Sequence, residues 1–250
     1  MKALVTGASS GIGRDMARVL SSKGYDLILV ARRVERLEEL KKELKTNVEV
    51  IGADLSKADE CIGLYEKVKN KNIDILINNA GFGVFGEFTE SDLTKELAMI
   101  DVNVKAVHIL TKLFLKDFKK RDSGYILNVA SSAAFAAGPL LSSYYGTKNY
   151  VLRLTEAIYE ELRHDKSKVY VGVLCPGPVD TEFNDVADVK FSAKPLTSEY
   201  VANYAIKMMF KRKLIISPGL VMKLARFGCK IAPEKLMLKV CYGIQRAKEE

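Results

Sequence analysis

The sequence predicts an α/β fold: a single doubly wound parallel sheet with helices on both faces. Two patterns support this. Short apolar runs alternate with amphipathic stretches from one end of the chain to the other, and strand–helix alternation lays successive strands parallel with a helix covering each crossover. A glycine-rich turn, Gly7-Ala8-Ser9-Ser10-Gly11-Ile12-Gly13, stands between the first apolar run and the first helical stretch, where a sheet of this kind turns from strand into helix.

Ala3-Leu4-Val5 opens the series of strands, and Met16, Ala17 and Leu20 mark the helix after the turn. Leu27-Ile28-Leu29-Val30, Ile75-Leu76-Ile77, Tyr125-Ile126-Leu127-Asn128-Val129, Val169 to Leu174 and Lys213-Leu214-Ile215-Ile216 follow. They read as strands buried on both faces. Between them Val34, Leu37, Leu40 and Leu44 recur every three or four residues, as do Val107, Leu110, Phe114 and Phe118, and Val151, Leu154, Ile158 and Leu162. That period sets an apolar stripe along one side of a helix. No repeat, low-complexity tract or linker breaks the pattern, so residues 1–250 are expected to form one domain.

With 250 residues, 48% of them apolar, the chain can bury one large core, and a charged fraction of 28% argues against disorder. No apolar run approaches the roughly 18 residues of a membrane span. Met1 to Thr6 enter a strand pattern at once, without the regions of a secretory signal. Cys61, Cys175, Cys229 and Cys241 show no metal-ligand spacing. They read as free thiols in a reducing compartment, so a cytoplasmic location and no metal site are expected. His108 and His164 are isolated and read as packing or surface residues.

The net charge of +8 is unevenly placed: ten Lys or Arg against three Glu lie beyond position 210, leaving 29 basic and 28 acidic residues before it. These basic residues are not interleaved with aromatic stacking positions, so nucleic acid is not an expected partner.

At the turn, glycine allows a tight bend and close approach of backbone to phosphate, while the new helix offers free N–H groups and a positive dipole end. A dinucleotide is the ligand such a turn fits. The tip of the second strand, Val30-Ala31-Arg32-Arg33, lacks the carboxylate that bonds a ribose 2′-hydroxyl. Arg32 and Arg33 suit a 2′-phosphate instead, which favours NADP(H). An arginine pair at a helix start is also ordinary surface decoration. Asn78-Asn79-Ala80-Gly81 closes a strand at its carboxyl end, where ligands bind these sheets; an Asn-Gly-type turn is the plain alternative.

Tyr144 and Lys148 stand four residues apart, which puts a phenol and an ammonium on one helix face, about 6 Å apart at Cβ. A free tyrosine has a pKa of about 10. A neighbouring positive charge favours the phenolate and brings proton exchange toward neutral pH. Beside a dinucleotide turn, the pair points to hydride transfer between a carbonyl and an alcohol.

Taken in order, Thr6-Gly7-x3-Gly11-x-Gly13, Asp54-Leu55, Asn78-Asn79-Ala80-Gly81, Asn103, Ser131, Tyr144-x3-Lys148 and Pro176-Gly177 make the chain resemble a short-chain dehydrogenase/reductase over nearly its whole length. The resemblance implies a Rossmann-type sheet. Tyr144 would be the acid/base, Lys148 would also bond the nicotinamide ribose, Ser131 would orient and polarise the carbonyl, and Asn103 would hold a water linking Lys148 to solvent. Register assigns Ser131 and Tyr144 rather than Ser132 and Tyr145: thirteen positions separate either pair, but only Tyr144 has a lysine four residues on, where Tyr145 has Asn149. Gly7, Ser9, Ser10, Gly11, Ile12, Gly13, Asn79, Ala80 and Gly81 would line the cofactor, with Asp54 and Leu55 at the adenine. Pro176, Gly177, Val179 and Thr181 would lie at the nicotinamide. A homodimer or homotetramer built on the helices near Val107 and Val151 is implied as well.

Residues 181–212 are expected to form a substrate lid, with Phe183, Val186, Val189 and Phe191 offering an apolar pocket. Residues 218–250 read as a basic amphipathic segment carrying Leu220, Val221, Leu224 and Phe227, then Leu236, Met237, Val240, Cys241 and Ile244 beyond Pro233. It would touch an anionic membrane surface, an acyl carrier or CoA, or pack on its own domain or a sister subunit with its basic side solvated.

The expected activity is NADP(H)-dependent interconversion of a small hydrophobic ketone or aldehyde and its alcohol. Two alternatives stand beside it: a 3-oxoacyl-CoA or carrier-protein reductase docking through the tail, and a non-catalytic NADPH-sensing protein. The presence of Asn103, Ser131, Tyr144 and Lys148 together weighs against the sensor.

Overall fold

Strand β1 (Lys2–Thr6) lies at the middle of the sheet, because Ala3, Leu4 and Val5 leave no face for water. On one side of it come β2 (Asp26–Ala31) and β3 (Val48–Gly52). On the other come β4 (Ile75–Asn78), β5 (Tyr125–Val129) and β6 (Tyr170–Leu174). A pair of two-residue strands, β7 (Val179–Asp180) and β8 (Leu196–Thr197), forms its own small sheet. β9 (Ile215–Ile216) completes the main one in the order β3-β2-β1-β4-β5-β6-β9, with every pair parallel. The computed structural model describes residues 1–183 and 195–246, except the side chain of Lys230.

Strand residues alternate between two cores. Ala3, Val5, Leu27 and Leu29 face α1 (Gly11–Ser22), α2 (Val34–Glu43) and α7 (Ser198–Phe210), numbered in chain order with the helices named next. Leu4, Ile28, Leu76 and Ile126 face α3 (Ala58–Val68) and α5 (Val107–Arg121). α4 (Leu93–Ile100) runs into α5 through a wide π turn, Asp101–Ala106. α6 (Ser142–His164) covers the sheet beyond them, and α8 (Leu220–Ile231) and α9 (Glu234–Arg246) close the described chain.

Four differences from the sequence reading have physical causes. β3 is an edge strand whose half-buried residues alternate with Glu49, which pairs with Lys71 at 2.5 Å, so it shows no continuous apolar run. α3 has only Cys61, Leu64 and Val68 to mark it. In α2, Leu37 and Leu40 are buried, but Val34 is exposed at the first turn and Leu44 lies past the end. The expected lid at 181–212 needs correction at its C-terminal bound: Val201, Ala202, Ala205, Ile206 and Met209 of α7 are fully buried against α1 and the sheet. Asp15 fastens that contact, accepting from Arg18 Nη1 at 2.9 Å and from Ser198 Oγ. Val186, Val189 and Phe191 lie outside the described residues.

A polar ladder crosses the interior between β4, α5, β5 and α6. Asn78 Nδ2 donates to Thr111 Oγ1 (3.0 Å) and Asn128 Oδ1 (2.9 Å), and Asn128 Nδ2 donates to Thr155 Oγ1 (3.0 Å). Every member is buried. Replacing Asn128 by Leu removes its bonds with Asn78, Thr111 and Thr155 and leaves each of them one other partner, so it should cost about 1–3 kcal/mol in all. Urea unfolding of the purified variant measures this.

Candidate active site

The strand order reverses between β1 and β4, and the carboxyl ends of these strands border the crevice that such a reversal creates. Thr6, the last residue of β1, ties the two together: its Oγ1 accepts from Asn79 N (3.0 Å) and Ala80 N (3.1 Å). Asn79 Nδ2 donates back to the carbonyls of Thr6 (3.0 Å) and Gly7 (3.1 Å). The helix that follows comes so close that a Cβ on Gly13 would lie 2.5 Å from Gly7 O and collide with Asn79 Nδ2. Gly11 and Ile12 at the start of α1 line the cleft, next to Ser9 and Ser10.

At the outer end of the turn, Arg33 precedes the first residue of α2. Its Nη2 donates to Ser10 Oγ at 3.1 Å and Ser9 Oγ at 3.3 Å, and its Nη1 to Glu182 Oε2 at 2.9 Å. Arg36, three residues on, meets the other Glu182 oxygen at 2.5 Å. Partial burial acts to raise the Glu182 carboxyl, but the two guanidiniums outweigh it and hold it below the usual carboxylate range. Arg36 and Glu182 escaped the sequence reading; the i, i+3 spacing of two arginines on one helix face was the available signal. Arg32 and Leu55 also line the cleft. Asp54 is held below its ordinary value: burial opposes this, and hydrogen bonds from Ser56 with the nearby Arg32 prevail.

The opposite end holds the four residues that sequence singled out for chemistry. Ser131 ends the loop after β5 and caps a short 3-10 turn (Ser132–Phe135), accepting from Ala133 N at 3.2 Å. Tyr144 and Lys148 lie in the first two turns of α6, both buried. Lys148 Nζ donates to Val129 O (3.1 Å) and stands 5.7 Å from the Tyr144 ring centroid. Asn103 falls inside the π turn, a widening that re-aims a side chain. It clasps the backbone of Phe82 (Nδ2 to O, 2.9 Å; N to Oδ1, 3.1 Å) and donates to Thr147 Oγ1 at 3.1 Å. A Cβ on Gly81 would lie 2.8 Å from Asn103 Oδ1 and 3.2 Å from Lys148 Nζ, so both groups converge on this backbone. Thr147, between Tyr144 and Lys148, is a site residue that the sequence reading passed over.

Burial pushes the Tyr144 phenol up to about 12, with a hydrogen bond from Ser131 drawing it partly back. Burial pushes the Lys148 ammonium down to about 8. The lowering of Tyr144 expected from its lysine neighbour does not arise: Lys148 is not among the groups that shift the phenol, and desolvation favours both neutral forms. The register of the hydroxyls is distinct: Tyr144 bonds Ser131, while the Tyr145 hydroxyl accepts from Gln245 Nε2 at 2.6 Å.

One continuous cleft of about 1160 Å³ joins these two ends. Gly7, Ser9, Ser10, Gly11, Ile12, Asn79, Ala80, Gly81, Pro176, Gly177, Val179 and Thr181 all border it, whereas Gly13 acts behind the turn as a packing residue. Thr181 reaches the turn, since a Cβ on Gly11 would lie 3.0 Å from its Cγ2. Beyond Tyr144 the wall becomes apolar, with Phe82, Phe135, Leu141 and Phe183, whose ring lies 5.4 Å from that of Tyr144.

Comparison with known proteins places this arrangement. The short chain dehydrogenase family profile matches residues 1–190. The chain belongs to the short-chain dehydrogenase family. An uncharacterised oxidoreductase of Staphylococcus saprophyticus is 36% identical over 218 residues, covering 81% of this chain and 88% of the relative. Among solved structures, a short-chain dehydrogenase from Sphingobium yanoikuyae in complex with NADPH superposes with a TM-score of 0.82 at 29% identity, covering 92% of this chain and 94% of the other. A Burkholderia phymatum family member in complex with NAD gives 0.82 at 25% identity, with coverages of 90% and 91%.

In this short-chain dehydrogenase, α8 and α9 lie beyond the matched residues and still wall the cleft, through Met222, Met237, Cys241 and Gln245. The sequence had left open whether this segment packs on its own domain, and one side of it does.

The buried lysine carries a pH signature. Its folded pKa of about 8 lies below the roughly 10.4 of an exposed lysine. Between those values the unfolded chain binds more protons, so this group's contribution raises stability as pH climbs from 8 to about 10, and its full penalty stands below pH 8. Tyr144 acts in the opposite sense above about pH 10, where the unfolded phenol ionises and the buried one keeps its proton. Unfolding free energies at pH 7 and about pH 9.5 should therefore differ more favourably for the native chain than for Lys148→Met.

Proposed function

We propose that the protein is an NADP(H)-dependent carbonyl reductase or alcohol dehydrogenase, with Tyr144 as its acid/base. One observation carries the reading: Ser131, Tyr144 and Lys148 meet at one end of a cleft whose other end is the glycine turn with Arg32, Arg33 and Glu182, the last held also by Arg36. The cleft fits a nicotinamide dinucleotide, since open helix amides and approachable backbone stand where a pyrophosphate binds. Bound NADP(H) supplies or accepts the hydride.

Ser131 would hold the carbonyl oxygen by its hydroxyl, beside the Tyr144 phenol that delivers the proton to it. Lys148, with a proton exchangeable near pH 8, would restore the one Tyr144 gives up and bond the ribose. Asn103, beside Lys148 across Gly81, would keep a water on that path. Asp54 and Leu55 would border the adenine, and Pro176, Gly177, Val179 and Thr181 the nicotinamide. The apolar wall beyond Tyr144 supports a hydrophobic ketone or aldehyde. Assembly as a dimer or tetramer through α5 and α6 rests on the family resemblance, and a cytoplasmic location on the free cysteines.

An NADPH oxidation assay across a carbonyl panel tests the reading; silence at every substrate despite tight NADPH binding would favour the sensing protein instead. Glu182 competes for the arginines that a 2′-phosphate needs, so Glu182→Gln should tighten NADPH up to about fivefold, the scale of half-exposed ion pairs. Fluorescence titration with NADPH and NADH measures it, and NADH affinity should stay level. A second reading is reduction of a 3-oxoacyl chain on CoA or a carrier, with the apolar inner side of α8 and α9 at the cleft wall and their lysines as docking charges. A salt-sensitive KM for carrier-bound substrates, absent with small ketones, would separate that reading.

A further inference from the structure

Helices α8 and α9 have two unlike sides. The inner side closes the cleft with Met222, Cys229, Met237 and Cys241. On the outer side Leu220, Val221, Leu224, Phe227 and Ile231 are 71%, 70%, 63%, 64% and 69% exposed. The steps 220, 224, 227 and 231 align them as one stripe along α8. Large apolar side chains so grouped mark an interaction surface rather than ordinary scatter. Val240 and Ile244 of α9 belong to both sides: they line the cleft and are 45% and 55% exposed. The rim of the cleft is thus itself apolar and exposed along α9.

Charge specifies the partner. Residues 220–246 hold six Lys or Arg and one Glu, a net +5, while the first 210 residues are nearly neutral. Lys223 of α8 and Lys235 and Lys239 of α9 are exposed.

We propose that α8 and α9 dock the protein on the surface of an anionic lipid bilayer, with the cleft mouth turned toward the lipid. The stripe enters the boundary between headgroups and acyl chains, and the lysines meet the lipid phosphates. Among the described residues no helix is long and apolar enough to cross a membrane, so the pair lies on the surface. A second copy complements this face less well, because a two-fold contact sets one +5 surface against another. An acidic carrier protein would answer the lysines and leave the apolar stripe of α8 without a matching partner. That the bilayer delivers an apolar carbonyl compound rests on the reductase reading; the docking does not.

The test is co-sedimentation of the full chain with phosphatidylglycerol-containing vesicles and with pure phosphatidylcholine vesicles. The chain should pellet with the anionic vesicles and far less with the neutral ones. The double variants Leu224→Gln/Phe227→Gln and Lys235→Glu/Lys239→Glu should each lower the partition coefficient by more than about tenfold. None of the four residues lines the cleft, so melting temperature and NADPH affinity should stay at native values and report an intact fold. Equal absence from both vesicle pellets overturns the proposal. So does an apolar double variant that still binds vesicles but turns an oligomer into a monomer by light scattering, which assigns the stripe to a second copy. Loss of NADPH binding in the native chain would sink the reductase reading and leave the vesicle result standing.

Discussion

Tyr144→Phe should lower kcat by about 10²–10⁴-fold, the range of a positioned acid/base, while NADPH affinity stays within about twofold, well under the tenfold that 1.4 kcal/mol represents. The substitution removes one oxygen and keeps the ring that packs against Phe183 and Tyr145, so the fold keeps its contacts. Initial rates of NADPH oxidation and a fluorescence titration measure the two quantities. An unaltered rate would remove Tyr144 from the chemistry. Tyr145→Phe serves as the control: its hydroxyl is engaged by Gln245, so its effect should fall on substrate KM and stability rather than on proton delivery.

Cofactor choice should respond almost as strongly to the arginine pair. Arg33→Ala/Arg36→Ala should weaken NADPH about 100-fold and leave NADH within a few-fold, because charge-assisted hydrogen bonds contribute about 1.5–3 kcal/mol each and half-exposed ones fall at the low end. Both guanidiniums already converge on one carboxylate, Glu182, at 2.9 and 2.5 Å, the type of anion for which a pair of forked donors is suited. Dissociation constants for both cofactors measure the change. Equal weakening of the two would place the arginines in lid or helix structure and leave the 2′-phosphate without its assigned partners.

The legible parts of the fold are those whose cause is local. β1, β2, β4, β5 and β6 are buried on both faces, so an apolar run announces each of them, broken in β5 only by Asn128. β3 stands at the sheet edge with Glu49 turned to Lys71, and half-burial erased its run. α7 was read as part of a lid because its identity depends on α1, nearly two hundred residues earlier, against which it buries its apolar side. Spacing alone brought Tyr144 and Lys148 to notice, since four positions on a helix are one turn, and the family resemblance added Ser131. It did not reveal Glu182, which meets Arg33 and Arg36 only after β7 carries it back to the glycine turn.

Sequence by itself determined the sheet class, the glycine turn with its helix, and the pairing of phenol and amine, because periodicity and short-range spacing act within a few turns of chain; the hydroxyl and the amide came from the family resemblance. Tertiary structure alone decided the direction of the Tyr144 and Lys148 shifts, the clasp of Asn103 on Phe82, and the two sides of the basic tail. Each of these depends on how much water and which distant backbone surround a group. Desolvation is a property of the packed whole, and no local pattern of residues carries it.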